Sequence, residues 1–241
     1  MSCSKVLVVD CFDFFNLLNP SVSLENSVKM LLSLVLKCAL EERSTKVIFV
    51  FFRDTFIFQM EYLNGIGISS TNVNQYAEFS KFCSDGSVFL TNDKVFYQIL
   101  SLSPKITILR YFSNHTIAEI SLSDANMAKG RFGRKEWVFY CCSHYSKKDG
   151  FPGVMGASLP SARKFIQGRY QQTPSHRFWQ RRAFRERLVN VEIGICQDMN
   201  HSLSLDVATI ADICKNMYSN MIPLCRRVLS MCSKIEKGDE K

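Results

Sequence analysis

A chain of 241 residues can bury a full core. Its 46% hydrophobic and 22% charged residues are the balance of a globular protein, which excludes a disordered one. The net charge of +8 is unevenly spread: between Asn126 and Arg187 fourteen Lys and Arg face three acids, whereas the remainder carries sixteen basic and nineteen acidic residues. Two charge regimes in one chain suggest two jobs.

The longest apolar stretches, such as Val47 to Phe52, are too short to cross a bilayer, so no membrane span is expected. Ser4-Lys5 runs straight into a strand-like segment with no small-residue cleavage site, which argues against an export signal. The ten cysteines lack regular spacing, and Cys141-Cys142-x-His144 has no partner pair for zinc. Reduced, buried thiols and an intracellular address, cytoplasmic or nuclear, are the expectation.

Lys5 to Val9 is a β-branched run ending in Asp10, and its continuous apolar character fits a strand buried on both faces. Leu24, Val28, Leu31, Leu32, Val35 and Ala39 then recur at helical spacing, with Ser21 or Ser23 placed to cap that helix. Lys46 to Phe52 is the second buried strand. A helix is predicted from about Val73 to Cys83, a third strand at Ser87–Thr91, a short helix over Lys94–Leu102 and a fourth strand at Lys105–Tyr111. Strands alternating with helices imply right-handed crossovers and a doubly wound, mostly parallel sheet.

Beyond Ser113 the pattern predicts a strand at Glu136–Cys142, a loop at Gly150–Gly156 and a basic helix at Phe178–Leu188. A helical pair bent at Pro223 is expected over Leu205–Ile235. The division expected is an α/β domain over 1–115 and a basic, aromatic-rich region over 116–241, ending in helices and packed on the first.

In open α/β sheets chemistry gathers at the carboxyl ends of the strands. Two of those ends carry an aspartate here, Asp10 after the first strand and Asp93 after the third. If these strands are neighbours, both carboxylates reach one pocket. With no lysine between them they repel, and a hard divalent cation relieves that repulsion.

An Asp closing the first strand and Thr91-Asn92-Asp93 ahead of a short helix resemble the first and last acidic motifs of PIN-like, NYN-type ribonucleases. The Val47–Arg53 segment is similar to the family's second strand, and the resemblance covers about residues 4 to 112. It implies that Asp10, Asp93 and, more loosely, Asp13 are catalytic. It also implies Mg²⁺ or Mn²⁺ as cofactor, held by Asp10 and Asp93, with Asp54 a further candidate ligand. The chain departs from the family where acids precede the third strand: that stretch reads Asn72-Val-Asn74-Gln75-Tyr76-Ala-Glu78. Amides supply no negative charge, so Asp13, Asp54 or Glu78 would have to compensate. Singly, Asp10 and Asp93 have a plainer reading as turn or helix caps.

Arg163, Lys164, Arg169, Arg177, Arg181, Arg182 and Arg185 interleave with Phe165, Tyr170, Phe178, Trp179 and Phe184. Cations for phosphates and flat rings for unpaired bases are what nucleic acid requires. On one helix, Arg177, Arg181, Arg185 and Arg182 would share a face, where like charges repel without an anion. The aromatics read equally as core.

Three functions follow. The first is a metal-dependent ribonuclease acting on single-stranded or structured RNA. The second is a non-catalytic RNA-binding protein derived from such a nuclease. The third is a protein-interaction module docking through Met217, Tyr218, Met221 and Leu224, a stripe of the kind that is more often core. No phosphate-binding glycine loop, nucleophile elbow or dinucleotide fingerprint is present. The four histidines, His115, His144, His176 and His201, are scattered.

Overall fold

The computed structural model describes residues 5–112, 116–121, 133–197, 199 and 201–238. The first strand, β1 (Val6–Asp10), is buried along its whole length, as its unbroken β-branched run requires. It turns directly into α1 (Cys11–Leu17), capped by Asp10. The helix α2 (Leu24–Glu42) is capped by the Ser23 hydroxyl, which accepts from the Asn26 amide. There follow β2 (Lys46–Phe52), α3 (Ile57–Gly65) and β3 (Thr71–Val73). A 3₁₀ turn over Tyr76–Phe82 leads to β4 (Ser87–Leu90), and another over Lys94–Ser101 leads to β5 (Thr107–Tyr111) and β6 (Ile117–Ile120).

The second half contributes α4 (Arg134–Ser143), α5 (Leu159–Ile166), α6 (Pro174–Trp179), α7 (Arg182–Val191), β7 (Leu205–Asp206), α8 (Val207–Met217) and α9 (Ile222–Lys237). The sheet runs β3-β2-β1-β4-β5-β6, with β7 pairing the start of β2. All pairs are parallel except β5 with β6 and β2 with β7. This is the doubly wound, mostly parallel α/β fold that the alternation of strands and helices predicts.

Alternation along β1 sends Leu7 and Val9 to one face, where α2, α8 and α9 pack. Val6 and Val8 go to the other, where Phe89, Phe96, Trp137, Trp179 and Phe184 pack. Residues of the basic half thus build one of the two cores. No helix among the described residues is long and apolar enough to cross a membrane.

Several local expectations are corrected. Glu136–Cys142 is helical, within α4. Trp137, Val138, Cys141 and Cys142 are its buried apolar residues, a one-sided stripe of period 3.6 that the β-prone Trp-Val-Phe-Tyr run concealed. The helix predicted from Val73 is instead β3 followed by a 3₁₀ turn. The basic helix predicted at Phe178–Leu188 is broken: α6 ends at Trp179, and Arg181 is the N-cap of α7. Arg177 therefore does not share a helical face with Arg181, Arg182 and Arg185. The terminal pair breaks over Tyr218–Met221, ahead of Pro223, which sits in the first turn of α9 where its missing N–H costs nothing. Tyr218 and Met221 are core, not a docking stripe.

Candidate functional site: a carboxylate pocket closed by a lysine

β1 and β4 are hydrogen-bonded neighbours, with Val9 opposite Leu90, so Asp10 and the Thr91–Asp93 turn leave the sheet side by side. Each aspartate divides its two oxygens between two tasks. Asp10 Oδ1 accepts from the Asp13 amide at 3.4 Å and caps α1, while Oδ2 accepts from Thr91 Oγ1 at 2.8 Å. Asp93 Oδ1 caps the next turn through the Val95 amide at 2.9 Å, while Oδ2 accepts from Tyr76 Oη at 2.8 Å. Each aspartate thus caps a turn through one oxygen and turns the other towards the same space between β1 and β4.

Both Oδ2 atoms face the same cation. It is Lys148, whose ammonium is hydrogen-bonded to Asp10 Oδ2 and lies 3.3 Å from Asp93 Oδ2. The Lys148 and Asp10 side chains are each only 2% exposed. The expectation that no lysine separates these carboxylates is overturned: the lysine comes from 138 residues away. Rings of Phe12, Phe52, Tyr76, Phe79 and Phe96 surround the ammonium, with centroids 5.1–5.9 Å from Nζ. Burial alone would lower the Lys148 pKa, but the carboxylates of Asp10, Asp93 and Asp13 outweigh it and raise the pKa. The lysine stays charged.

The loop that carries Lys148 is braced on three sides. The Ser146 hydroxyl is 3.1 Å from Tyr76 Oη, and the Ser146 amide donates to the Phe151 carbonyl. Asp149 forms an ion pair with Arg187 at 2.7 Å, and the Arg187 guanidinium lies 3.7 Å from the Phe151 ring centroid. Gly153 has a φ of +84°, and a Cβ there would meet the Tyr145 backbone nitrogen at 3.0 Å, so the return of this loop requires glycine.

Asp13 belongs to the same cluster. Its Oδ2 accepts from the Asn92 amide at 2.6 Å and from Tyr111 Oη at 3.4 Å. Burial, aided by the nearby Asp10 and Asp93 charges, pushes its pKa up to about 7 from 3.8. A carboxyl held neutral in the fold but ionised in the unfolded chain loses stability as pH rises between those values. Asp13→Asn should therefore gain thermal stability over the parent between pH 4 and 7, and hold a constant margin above that. Melting curves across this range check it.

Asp54, the further candidate ligand, is exposed in the turn after β2 and takes part in none of the pocket's hydrogen bonds or ion pairs. Glu78 does not compensate either: its Oε1 accepts from the Asn74 and Gln75 amides and caps the 3₁₀ turn. From this stretch it is Tyr76 that reaches the pocket, through its hydroxyl on Asp93. Cys141 and Cys142 are buried in α4. His176 is buried, accepting from the Gln171 amide through Nδ1 and lying 3.2 Å from the Ser161 carbonyl through Nε2. His115 and the His201 side chain lie outside the described residues, as do Lys129 and Arg131 of the basic stretch.

Lys164, Arg169, Arg177, Arg181, Arg182 and Arg185 are exposed, and Arg163 is partly so. Arg182 pairs with Glu186 at 2.9 Å. A cavity of about 100 Å³ is lined by Asp93 and Tyr76 on one side and by Arg187 and Val191 of α7 on the other. The basic helix thus lies beside the acidic pocket.

No protein-family model matches the sequence. No curated protein matches it either. The fold does match solved structures. The T5 D15 protein co-crystallised with metal ions superposes with a TM-score of 0.52 at 11% identity, covering 94% of this chain and 99% of that one. A lysine-to-alanine mutant of T5 5'-exonuclease gives 0.52 at 12%, covering 95% and 100%. The bacteriophage T5 D15 flap endonuclease, in a pseudo-enzyme–product complex with DNA and metal ions, gives 0.50 at 12%, covering 95% and 99%. The chain has a PIN-like nuclease fold. At these identities the likeness is one of architecture, and it extends over the basic half as well as the first 112 residues.

The donor chemistry of Asp10, Asp13 and Asp93 suits the Mg²⁺ or Mn²⁺ expected from the sequence. Their arrangement does not. Among the described residues no three His, Cys, Asp or Glu side chains are grouped to hold a metal ion, and the point where Asp10 and Asp93 converge is taken by Lys148. Sequence reasoning missed Lys148 because it reads as one more cation in Lys147-Lys148-Asp149, and nothing in that spacing marks it as buried.

Proposed function

We propose that the chain is a nucleic-acid-binding protein built on a nuclease fold, with its hydrolytic pocket held idle by Lys148. The observation that carries this reading is the ammonium seated between Asp10 and Asp93, beside a helix that presents exposed arginines. Hydrolysis by a metal-bound water needs a metal cation at that point, and the point is already held by an ammonium that pairs with both carboxylates. Binding needs only the arginine-rich surface. Arg163, Lys164, Arg169, Arg177, Arg181, Arg182 and Arg185 are proposed as its phosphate contacts.

Single-stranded or structured RNA is the polymer expected from the NYN-type resemblance. The flap endonuclease likeness puts branched DNA beside it in the same test. Fluorescence anisotropy with both polymers at rising salt should show affinity falling by about 0.7–0.9 log units per log unit of salt for each phosphate neutralised. Replacing Arg181, Arg182 and Arg185 together by glutamine should lower that slope by about two to three. No cleavage of either polymer should appear with Mg²⁺ or Mn²⁺. Turnover by the parent chain that disappears in Asp10→Asn would favour the metal-dependent ribonuclease reading instead.

A further inference from the structure

Asp10 and Asp93 converge on an ammonium with aromatic rings around it, while Asp13, close by, accepts from the Asn92 amide and Tyr111 Oη. Asp10 and Asp93 supply two oxygens to the ammonium, and five aromatic faces close the rest at 5.1–5.9 Å. A hard divalent ion prefers six or more oxygens and keeps waters among them. An alkylammonium asks for a few acceptors and gains from aromatic faces. The pocket as built suits the second occupant and not the first.

We infer that Lys148 is the resident cation of the pocket, and that it and a divalent ion exclude one another, so that shortening this side chain opens the carboxylates to metal. This rests on the reading of the pocket as idle, and not on the reading of the arginine surface. Lys148→Ala removes the ammonium and its stem, leaving Asp10 Oδ2 and Asp93 Oδ2 without their shared counter-charge.

The test compares the parent chain with Lys148→Ala and with Lys148→Ala/Asp10→Asn, using Mn²⁺ alone as probe. Binding is read by calorimetry and by the loss of the free-Mn²⁺ electron spin resonance signal. The single variant should bind one Mn²⁺ at least about tenfold more tightly than the parent, with a melting temperature that rises with Mn²⁺ concentration. The double variant should lose that gain. If the single variant does not fold without metal, Mn²⁺-dependent recovery of its circular dichroism supports the inference, and no recovery overturns it. In the parent, the Lys148 side-chain ammonium should give a slowly exchanging ¹⁵N signal that Mg²⁺ leaves unchanged. Equal Mn²⁺ affinity in parent and single variant, or displacement of that ammonium signal by Mg²⁺ in the parent, overturns it. Anisotropy with RNA and branched DNA reads the arginine surface separately: its loss would sink the nucleic-acid reading while leaving the metal result standing.

Discussion

Lys148→Met should cost about 3–5 kcal/mol of stability at pH 7, the penalty for leaving buried charge without its partner. The side chain and Asp10 are both 2% exposed, so solvent cannot take over the ammonium's role. Methionine keeps most of the stem and its packing against Phe12, Phe52, Phe79 and Phe96, so what is removed is chiefly the charge. The pH dependence separates this from a packing loss. A lysine whose pKa is raised in the fold contributes stability that is fully present below its ordinary 10.5 and lost only as pH rises through the folded value. In Lys148→Met the deficit should instead shrink as pH falls from 7 towards 4, because Asp13, whose pKa is raised to about 7, becomes neutral and needs no counter-charge. Denaturant unfolding at pH 4.5 and 7.5 measures both. A deficit of equal size at the two values would mean that the lysine acts through its methylenes.

Trp179→Ala should cost about 3–5 kcal/mol, the range for truncating a buried aromatic. Trp179 is 3% exposed, and its ring centroid lies 5.2 Å from Phe165, 5.4 Å from His176 and 6.2 Å from Phe139. Its indole N–H donates to the Ser143 hydroxyl, tying α6 to α4. Truncation opens a cavity and removes that tie, while the Ser143 hydroxyl keeps its bond to the Phe139 carbonyl. The same side chain separates the two readings of the aromatic interleaving. If the rings of this segment stacked on bases, polymer would quench Trp179 fluorescence; a core residue should keep its emission when RNA or DNA binds. Trp137 shares the emission but is also buried, 5.8 Å from Tyr97, so neither tryptophan should report the polymer directly. On the proposed reading the contact falls to the seven cations named above, with Tyr145 and Tyr170, 62% and 64% exposed, as rings of this region open to solvent.

The parallel sheet was legible because its strands are buried on both faces. Val6–Val9, Val47–Phe52 and Ile108–Leu109 carry no polar side chain to break the apolar run. The place of Asp10 was legible for a related reason: a charged residue ending such a run has nowhere to go but the strand end. α4 was not, because Trp-Val-Phe-Tyr-Cys-Cys has the composition of a strand and takes its form from packing against the Lys94–Ser101 turn, α5 and α7. The break at Gln180–Arg181 was hidden because the arginine spacing suits an unbroken helix. Lys148 was beyond reach for a deeper reason. Its burial depends on the loop between α4 and α5 folding back across the sheet, a contact 138 residues long in sequence that no local pattern encodes.

The division of labour between the two oxygens of Asp10, and again of Asp93, bears on how a mutational scan of this pocket should be interpreted. An asparagine at either position retains an acceptor for the amide at the start of the following turn, so the backbone keeps its course while the negative charge disappears. An alanine removes both and lets the turn unwind from its first residue. Amide and alanine variants of the same aspartate therefore interrogate electrostatics and local architecture separately, and a difference between them at one position is information, not noise.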